Sequence, residues 1–192
     1  MMCNPSKCKE LICRKKGFSQ DIALVNNIPQ GTELPISSVM FEENCKYSEH
    51  VCAKLIKGNK CLFILRFLRK EGFGRGEVDR LFSTLVLANF THALSVYGAL
   101  DSDLTIIQHF VGRYFKRKYV SKRMDIRDLL ERTDRKLFKL CSVDPDCPLN
   151  NIIPKKKETK CNLRNRTACH PNINSAWFKN VFVNRLVFKY HI

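Results

Sequence analysis

Residues 77–119 constrain the fold most strongly, because apolar side chains recur there at helical spacing in two segments separated by Gly98. Gly98 is expected to adopt the left-handed conformation that ends a helix, and Ser102 is expected to cap the next one. The second segment places the following residues on one side: Leu104, Ile107, Val111, Tyr114 and Phe115. It then ends in a cluster of lysines and arginines. The stretch therefore predicts a helical hairpin with an apolar inside and a cationic tip.

Helices are also predicted on both sides of this hairpin. Ser48 is expected to cap one whose apolar stripe comprises Val51, Leu55, Leu62, Leu65 and Leu68. Another is expected to start from Asp125 and to end at Pro145 and Pro148. Its inward-facing residues are predicted to be Ile126, Leu129, Leu130, Leu137 and Leu140. The apolar tail, residues 177–188, is expected to dock back as a last short helix.

The first 41 residues follow a different pattern, with short apolar runs between turn-forming residues. The runs at residues 11–13, 22–25 and 34–41 are predicted to be short strands, and Pro35 confines the last of them to a sheet edge. The predicted fold class is therefore mainly α with a small N-terminal β patch, an α+β chain built around a helical hairpin.

Four regions are predicted from these patterns. Residues 1–45 form the edge of a β-sheet, residues 46–140 a helical domain, residues 141–175 a basic linker and residues 176–192 a C-terminal docking segment. The linker is inferred from its lysines and arginines and from its lack of aromatic residues.

The net charge of +16 is concentrated outside the β patch. Residues 1–45 carry five basic and five acidic side chains, so the whole excess lies in residues 46–192. A basic body favours polyanionic partners, most often nucleic acid and less often an acidic membrane face or an acidic protein. A solvated, lysine-rich surface without such a partner is the alternative.

The strongest local functional signal is the basic, aromatic run at residues 113–119, with two more cations just beyond it. Lysine and arginine neutralise phosphates, and exposed aromatic rings can stack on bases. The predicted phosphate-binding residues are Arg113, Lys116, Arg117, Lys118, Lys122 and Arg123. Tyr114 and Phe115 fit either base stacking or the buried stripe. The run therefore predicts contact with the backbone of RNA or DNA.

The ten cysteines are the obvious candidates for disulfides or for zinc. No apolar leader follows Met1, so we expect an intracellular protein, cytoplasmic or nuclear, with reduced thiols. The candidate zinc ligands are Cys141, Cys147, Cys161 and Cys169 or His170. Structural zinc sites usually pair ligands roughly two to four residues apart, and these cysteines are not spaced in that way. No metal site is therefore predicted.

Motifs for catalysis are missing from the sequence. It contains no glycine-rich phosphate loop followed by Lys-Ser/Thr, no Gly-x-Ser-x-Gly nucleophile turn and no Asp-Asp pair for two-metal chemistry. Its longest apolar run, residues 61–65, is too short to span a bilayer. We therefore expect no catalytic residue, no cofactor, no small-molecule substrate and no membrane partner.

The order of these parts resembles the C-terminal portion of reverse transcriptases from non-LTR retrotransposons (LINE elements) of the jockey-like kind. Residues 4–9 resemble the stretch just after the family's catalytic Asp-Asp hairpin, where an asparagine and a lysine recur. Residues 34–39 resemble its primer-grip turn, residues 81–98 its thumb helix, and residues 107–113 its Ile-Gln…Arg helix. The resemblance covers nearly the whole chain and marks the helical hairpin as thumb-like.

The resemblance implies a fragment that holds the palm rim, the thumb and the post-thumb region. All metal-binding aspartates of the family lie before the equivalent of Asn4, which implies no polymerisation by this chain alone. Mg²⁺ is expected only for the complete parent enzyme. Lys7 joins the predicted nucleic-acid-binding residues through this resemblance. Ser37 and Ser38 replace the glycine expected at the primer-grip turn, where a positive φ would strain serine.

The predicted function is that of a truncated reverse-transcriptase fragment that retains binding of RNA or DNA backbones without sequence readout. The rival is a helical protein-interaction module, which would self-associate through exposed apolar helix faces. A translated pseudogene product without a selected function is a third interpretation. Loss of nucleic-acid binding with rising salt would favour the first of these, and salt-insensitive self-association the second.

Overall fold

A computed structural model shows a chain that is about 61% helical with a small strand component. The residues that the structure describes are 8–13, 21–25, 28–98, 100–151, 172 and 175–190. This content confirms the predicted fold class, mainly α with a small β part. The chain divides into two compact units, residues 1–60 and residues 61–192.

The first unit contains the β patch. Strands β1, Glu10–Leu11, and β2, Gln30–Gly31, pair in parallel, and strands β3, Glu33–Ile36, and β4, Val39–Glu42, form an antiparallel hairpin. The predicted strand at residues 22–25 is wrong: residues 21–25 form no strand, and their side chains are exposed. An apolar run becomes a strand only where a neighbouring strand accepts its backbone hydrogen bonds, and this run has no ladder partner among the described residues.

The hairpin between β3 and β4 turns at two serines. Ser37 and Ser38 have φ angles of +47° and +68°, so both lie in the left-handed region that a two-residue hairpin turn with matching twist requires. The positive φ expected at this turn is thus present. A residue with a side chain costs roughly 1–2 kcal/mol in that region, so the sequence fills a glycine position with strained serines.

The long helix α1 runs over Ser48–Lys70, so Ser48, predicted as its cap, is its first residue instead. The start of the helix is bound to β4. A carboxylate oxygen of Glu42 accepts a hydrogen bond from the backbone N–H of Glu49 at 3.0 Å. Nδ1 of His50 accepts another from the backbone N–H of Met40 at 3.2 Å. These bonds satisfy backbone donors that the strand end and the helix start leave without partners. From the predicted stripe, Val51, Leu62 and Leu65 are buried.

The second unit contains the predicted helical hairpin, but its first arm is not one regular helix. The arm consists of α2, Arg75–Leu81, a π-helical segment, Phe82–Leu87, and the short helices α3, Ala88–Thr91, and α4, Leu94–Tyr97. The second arm is α5, Asp101–Lys116. Ring contacts join Phe82 to Tyr114 at 5.1 Å and Phe90 to Phe110 at 5.2 Å between centroids. The residue number rises from 82 to 90 along the first arm while that of the partner falls from 114 to 110, so the two arms are antiparallel.

The prediction that Gly98 adopts a left-handed conformation is wrong. Its φ is −76°, and the left-handed residue of this arm is Ala93, with a φ of +56°. A Cβ at position 98 would lie 2.6 Å from the carbonyl oxygen of Leu94 and 3.2 Å from a methyl carbon of Leu130. Glycine is therefore required for close packing and not for a turn. Ser102 is not the cap either, since α5 begins at Asp101 after Leu100.

Helix α6, Ile126–Val143, packs against α4 and α5, and it starts as predicted because the carboxylate of Asp125 accepts a hydrogen bond from the backbone N–H of Arg127 at 2.8 Å. Leu140 was predicted to face inward, but it is 58% exposed. At 100° per residue, positions 126, 130, 134 and 141 share one helix face, and position 140 lies just outside the edge of that face, about 85° from its centre. The helix also includes residues 141–143, which belong to the predicted linker.

The C-terminal segment forms helices α7, Ala176–Asn180, and α8, Phe182–Tyr190. Helix α8 packs on α4 and α6. Leu186 and Val187 are buried there, as is Arg185, whose guanidinium pairs with Asp134 at 2.7 Å. Nothing in the apolar pattern of residues 177–188 indicated this ion pair. Most of the predicted basic linker, residues 152–171, lies outside the described residues.

Candidate nucleic-acid interface

The predicted cations lie at the C-terminal end of α5 and in the loop that follows it. Arg113 and Lys116 belong to the last turn of the helix, Arg117 ends it, and the remaining residues lie between α5 and α6. All six cations predicted from the basic run are exposed: Arg113, Lys116, Arg117, Lys118, Lys122 and Arg123. Lys7, the seventh predicted site residue, lies outside the described residues.

Three of these cations line one groove, which we call the basic groove. It has a volume of about 540 Å³, within the range of ordinary ligand pockets. Its described lining consists of Gln108, His109, Gly112, Arg113, Phe115, Lys116 and Arg123. The other three predicted residues, Arg117, Lys118 and Lys122, are not among them, and we call these the outer cations. The structure therefore divides a run of charges that the sequence presents as one group.

Arg123 reaches the groove because Gln108 fixes the loop that carries it. The side-chain N–H₂ of Gln108 donates to the carbonyl oxygen of Met124 at 3.0 Å. Its side-chain oxygen accepts from the backbone N–H of Ile126 at 2.8 Å. Both ends of one amide are thus used on two residues just after Arg123, and this ties the start of α6 to the middle of α5. These two hydrogen bonds of the Gln108 side chain therefore fix the position of the loop.

The turn after α5 is a Schellman motif with lysine at the position that glycine usually occupies. The backbone N–H of Tyr119 donates to the carbonyl oxygen of Tyr114 at 3.1 Å, and that of Lys118 donates to Phe115 at 3.0 Å. Lys118 has a φ of +60°. The guanidinium of Arg69 lies 5.3 Å from the ring centre of Tyr119 and braces the turn. This geometry directs Arg117 and Lys118 away from the groove lining.

The groove cations lack carboxylate partners within the described part of the chain. None of Arg113, Lys116 and Arg123 forms a salt bridge there, although the guanidinium of Arg113 lies 5.5 Å from the ring centre of Phe110. Cations near the negative end of the α5 dipole are also favoured on structural grounds alone. That effect accounts for Arg113 and Lys116, which lie in the last turn of α5. It does not account for Arg123, which comes from the loop.

The two aromatic residues that the sequence left open have different roles. Tyr114 is buried between Phe82 and Phe110, and burial raises the pKa of its phenol well above the ordinary value. It belongs to the core. Phe115 is 39% exposed and lines the groove, so its predicted place in the buried stripe is wrong. Phe115 lies one position, or about 100°, beyond Tyr114 on the helix.

Three lining residues were not predicted as part of a site, Gln108, His109 and Gly112, while Phe115 had been left open between base stacking and the buried stripe. Positions 108, 112 and 115 are spaced by four and three residues and share one face of α5. That spacing was present in the sequence. It carried no signal by itself, because a glutamine, a glycine and a phenylalanine form no chemical pattern until Arg123 is known to face them.

No metal site appears among the described residues, in which no three histidine, cysteine, aspartate or glutamate side chains cluster. The sulfurs of Cys141 and Cys147 are 3.1 Å apart as free thiols, and burial raises the pKa of Cys141 to about 11. The other candidate zinc ligands, Cys161, Cys169 and His170, lie outside the described residues.

Within the described part of the chain, no helix is both long enough and apolar enough to cross a membrane.

Comparisons of the chain with protein-family models, with curated proteins and with solved structures found no match. The resemblance to non-LTR reverse transcriptases thus rests on the motifs of the sequence alone.

Proposed function

We propose that the basic groove binds the phosphate backbone of nucleic acid. The observation that supports this is the convergence of Arg113, Lys116 and Arg123 on one groove without a described carboxylate among them. Cations left without internal partners attract phosphates and release condensed counterions when they bind. Phosphate contacts carry no sequence information, so the binding is expected to be non-sequence-specific.

The parent protein that we propose is a non-LTR reverse transcriptase, of which this chain would form the palm rim, thumb and post-thumb region. The motifs at residues 4–9, 34–39, 81–98 and 107–113 support this origin. We propose that the chain by itself does not polymerise, since two-metal nucleotidyl transfer requires converging carboxylates. Purified protein with Mg²⁺ or Mn²⁺, a primed template and nucleotides should extend no primer. Template-dependent extension above a mock preparation would contradict the proposal.

The groove itself is tested with two triple variants of equal charge. The groove variant carries Arg113→Ala, Lys116→Ala and Arg123→Ala, and the matched control changes the outer cations with Arg117→Ala, Lys118→Ala and Lys122→Ala. Both lower the net charge by the same amount, so a general electrostatic effect would weaken binding equally. The readout is the affinity for a labelled oligonucleotide over a series of salt concentrations.

The groove variant should lower the slope of log affinity against log salt by about two to three units, because each phosphate contact contributes about 0.7–0.9. The outer variant should change the slope by less than about one unit. Equal losses in the two variants would mean that diffuse charge, and not the groove, binds the backbone. Unchanged binding in a folded groove variant would remove the main support for a nucleic-acid function.

A second candidate function is self-association through α1, and exposed apolar side chains of this helix favour it. Phe63 is 73% exposed, and Ile64 and Phe67 on neighbouring positions are also exposed. Exposed apolar patches of this kind mark interaction surfaces in soluble proteins. Phe63→Ser with Phe67→Ser should lower self-association in sedimentation experiments at low and high salt alike. Leu140→Ser, an exposed leucine on α6, is the matched control and should have no such effect.

A further inference from the structure

Phe115 is the feature of the basic groove that phosphate binding does not explain. A phosphate oxygen gains nothing from an apolar ring, yet the ring lies among Arg113, Lys116 and Arg123. The described structure gives Phe115 no ring contact and no cation over its face, although six other aromatic pairs and three cation–ring contacts occur elsewhere. The ring is 39% exposed and is therefore accessible to a planar partner from outside.

Gly112 provides room for such a partner. Side chains on an α-helix lean toward its N-terminus, so the side chain of Phe115 leans toward the turn that contains position 112. A Cβ built on Gly112 would meet no heavy atom within 4 Å. Any larger residue at this position would extend into the same open space. The glycine, which lowers helix propensity in the interior of α5, thus leaves the space beside the ring empty.

We propose that the groove holds single-stranded nucleic acid, with one unstacked base against Phe115 and adjoining phosphates on Arg113, Lys116 and Arg123. This inference rests on the proposed function and narrows its ligand from nucleic acid in general to single strands. In a duplex the bases are stacked on one another and only phosphates and groove edges are accessible. In a single strand a base can turn outward onto an aromatic ring, while the backbone follows a basic groove.

The test uses three labelled probes of equal length: an oligothymidylate, an abasic strand with the same number of phosphates, and a blunt duplex. Wild-type protein is compared with Phe115→Ala, Phe115→Leu and Phe115→Trp. Stacking of one base corresponds to roughly 5- to 150-fold in affinity, so Phe115→Ala should weaken oligothymidylate binding by that factor. Binding of the abasic strand and of the duplex should change less than about twofold, and Phe115→Trp should keep the preference.

Gly112 supplies an independent variant that removes neither the ring nor a charge. Gly112→Leu should fill the space beside Phe115 and weaken oligothymidylate binding while leaving the abasic strand unaffected. Gly112→Ala is the graded comparison: its methyl group occupies only part of the open space, and alanine favours the helix, so the loss of base preference should be smaller than for Gly112→Leu. Circular dichroism and urea midpoints show that each variant is folded.

The two proposals fail in distinguishable ways. If wild-type protein binds none of the probes, or if the groove and outer triple variants bind alike, phosphate binding in the groove is wrong. If wild-type binding is salt-dependent but Phe115→Ala and Gly112→Leu weaken all three probes equally or not at all, only the stacked base is wrong. A specific loss for base-bearing single strands with an unchanged salt slope supports the inference.

Discussion

Arg185 on α8 and Arg113 on α5 are both arginines of the second unit, but the first is buried among acceptors and the second lines an open groove. The guanidinium of Arg185 donates to both carboxylate oxygens of Asp134, at 2.7 and 3.2 Å. It also donates to three backbone carbonyl oxygens, those of Ser95, Gly98 and Asn180. These acceptors use most of the donors of the guanidinium.

The groove cations have no such set of acceptors within the described residues. The difference shows that the number of basic residues does not determine what a basic region does. A cation with a buried carboxylate beside it holds helices together, and a cation without one remains available for an external anion. The net charge of +16 includes cations that have a carboxylate partner and cations that have none. The position of the acidic residues in the fold decides to which group a cation belongs.

Removing the carboxylate of Asp134 is expected to have the largest effect on stability. Asp134→Ala leaves the charge of Arg185 buried without a counterion, which should lower the free energy of unfolding by about 3–5 kcal/mol. Urea denaturation followed by circular dichroism measures this. Glu131→Ala, on the same helix but paired with the exposed Lys189, is the control and should cost at most about 1 kcal/mol. Equal effects of the two substitutions would show that Arg185 does not depend on Asp134.

Placing a carboxylate in the groove tests the other side of the comparison. Gly112→Asp should give Arg113 or Lys116 an internal partner and thereby remove at least one phosphate contact. Loss of one contact should lower the salt slope by about 0.9. If the variant and the wild type bind equally at about 1 M salt, the variant should then bind about eightfold more weakly than the wild type at about 0.1 M. Gly112→Asn has nearly the same shape without the charge, so it fills the space beside Phe115 equally and should bind the abasic strand like the wild type. If both variants bind equally, the groove cations are not the phosphate ligands.

The sequence predicted those parts of the fold that depend on local periodicity. The stripe of α5, with Leu104, Ile107 and Val111, is buried as expected, and the carboxylate of Asp125 caps α6. It did not predict the π-helical segment or the left-handed Ala93, because neither follows from the apolar periodicity. The carbonyl oxygen of Leu94 excludes a side chain at Gly98, and Leu130 packs tightly against the same position. The distance along the chain hides the contact with Leu130.

The candidate site was predicted to a similar degree. The basic run identified Arg113, Lys116 and Arg123, but it did not separate them from the outer cations. That separation depends on Gln108, whose two hydrogen bonds reach residues sixteen and eighteen positions away. The pairing of Arg185 with Asp134 spans 51 residues and lay in a tail that looked purely apolar. Long-range polar contacts of this kind leave no periodic trace in a single sequence.

Lys118 allows a smaller and more precise test of the division between groove and outer cations. It adopts a left-handed conformation in the Schellman turn, which glycine adopts without steric cost. Lys118→Gly should therefore raise the free energy of unfolding by about 0.5–1 kcal/mol, even though it removes a side chain. Nucleic-acid affinity should remain close to that of the wild type because Lys118 does not line the groove. A clear loss of affinity would place this residue among the phosphate ligands.

The smallest expected effect concerns the exposed ion pair that lies beside the buried one. The carboxylate of Glu131 accepts hydrogen bonds from Lys189 at 2.5 Å and from the hydroxyl group of Tyr190 at 2.7 Å, and these bonds hold its pKa below the ordinary value. A lowered pKa means that the carboxylate stabilises the folded state above the unfolded pKa of about 4.3. That contribution is lost as the pH falls through the lower, folded value.

Because Glu131 is 38% exposed, solvent screening should limit the contribution to less than about 1 kcal/mol. Urea denaturation of the wild type and of Glu131→Gln should therefore differ slightly at neutral pH and converge in acid. A difference that persists unchanged below the folded pKa would mean that Glu131 acts through packing and not through its charge. A difference as large as that of Asp134→Ala at neutral pH would mean that burial does not separate the two pairs. The contrast between Arg185 and the groove cations would then lose its physical basis, since it assumes that burial decides how strongly a cation depends on its carboxylate.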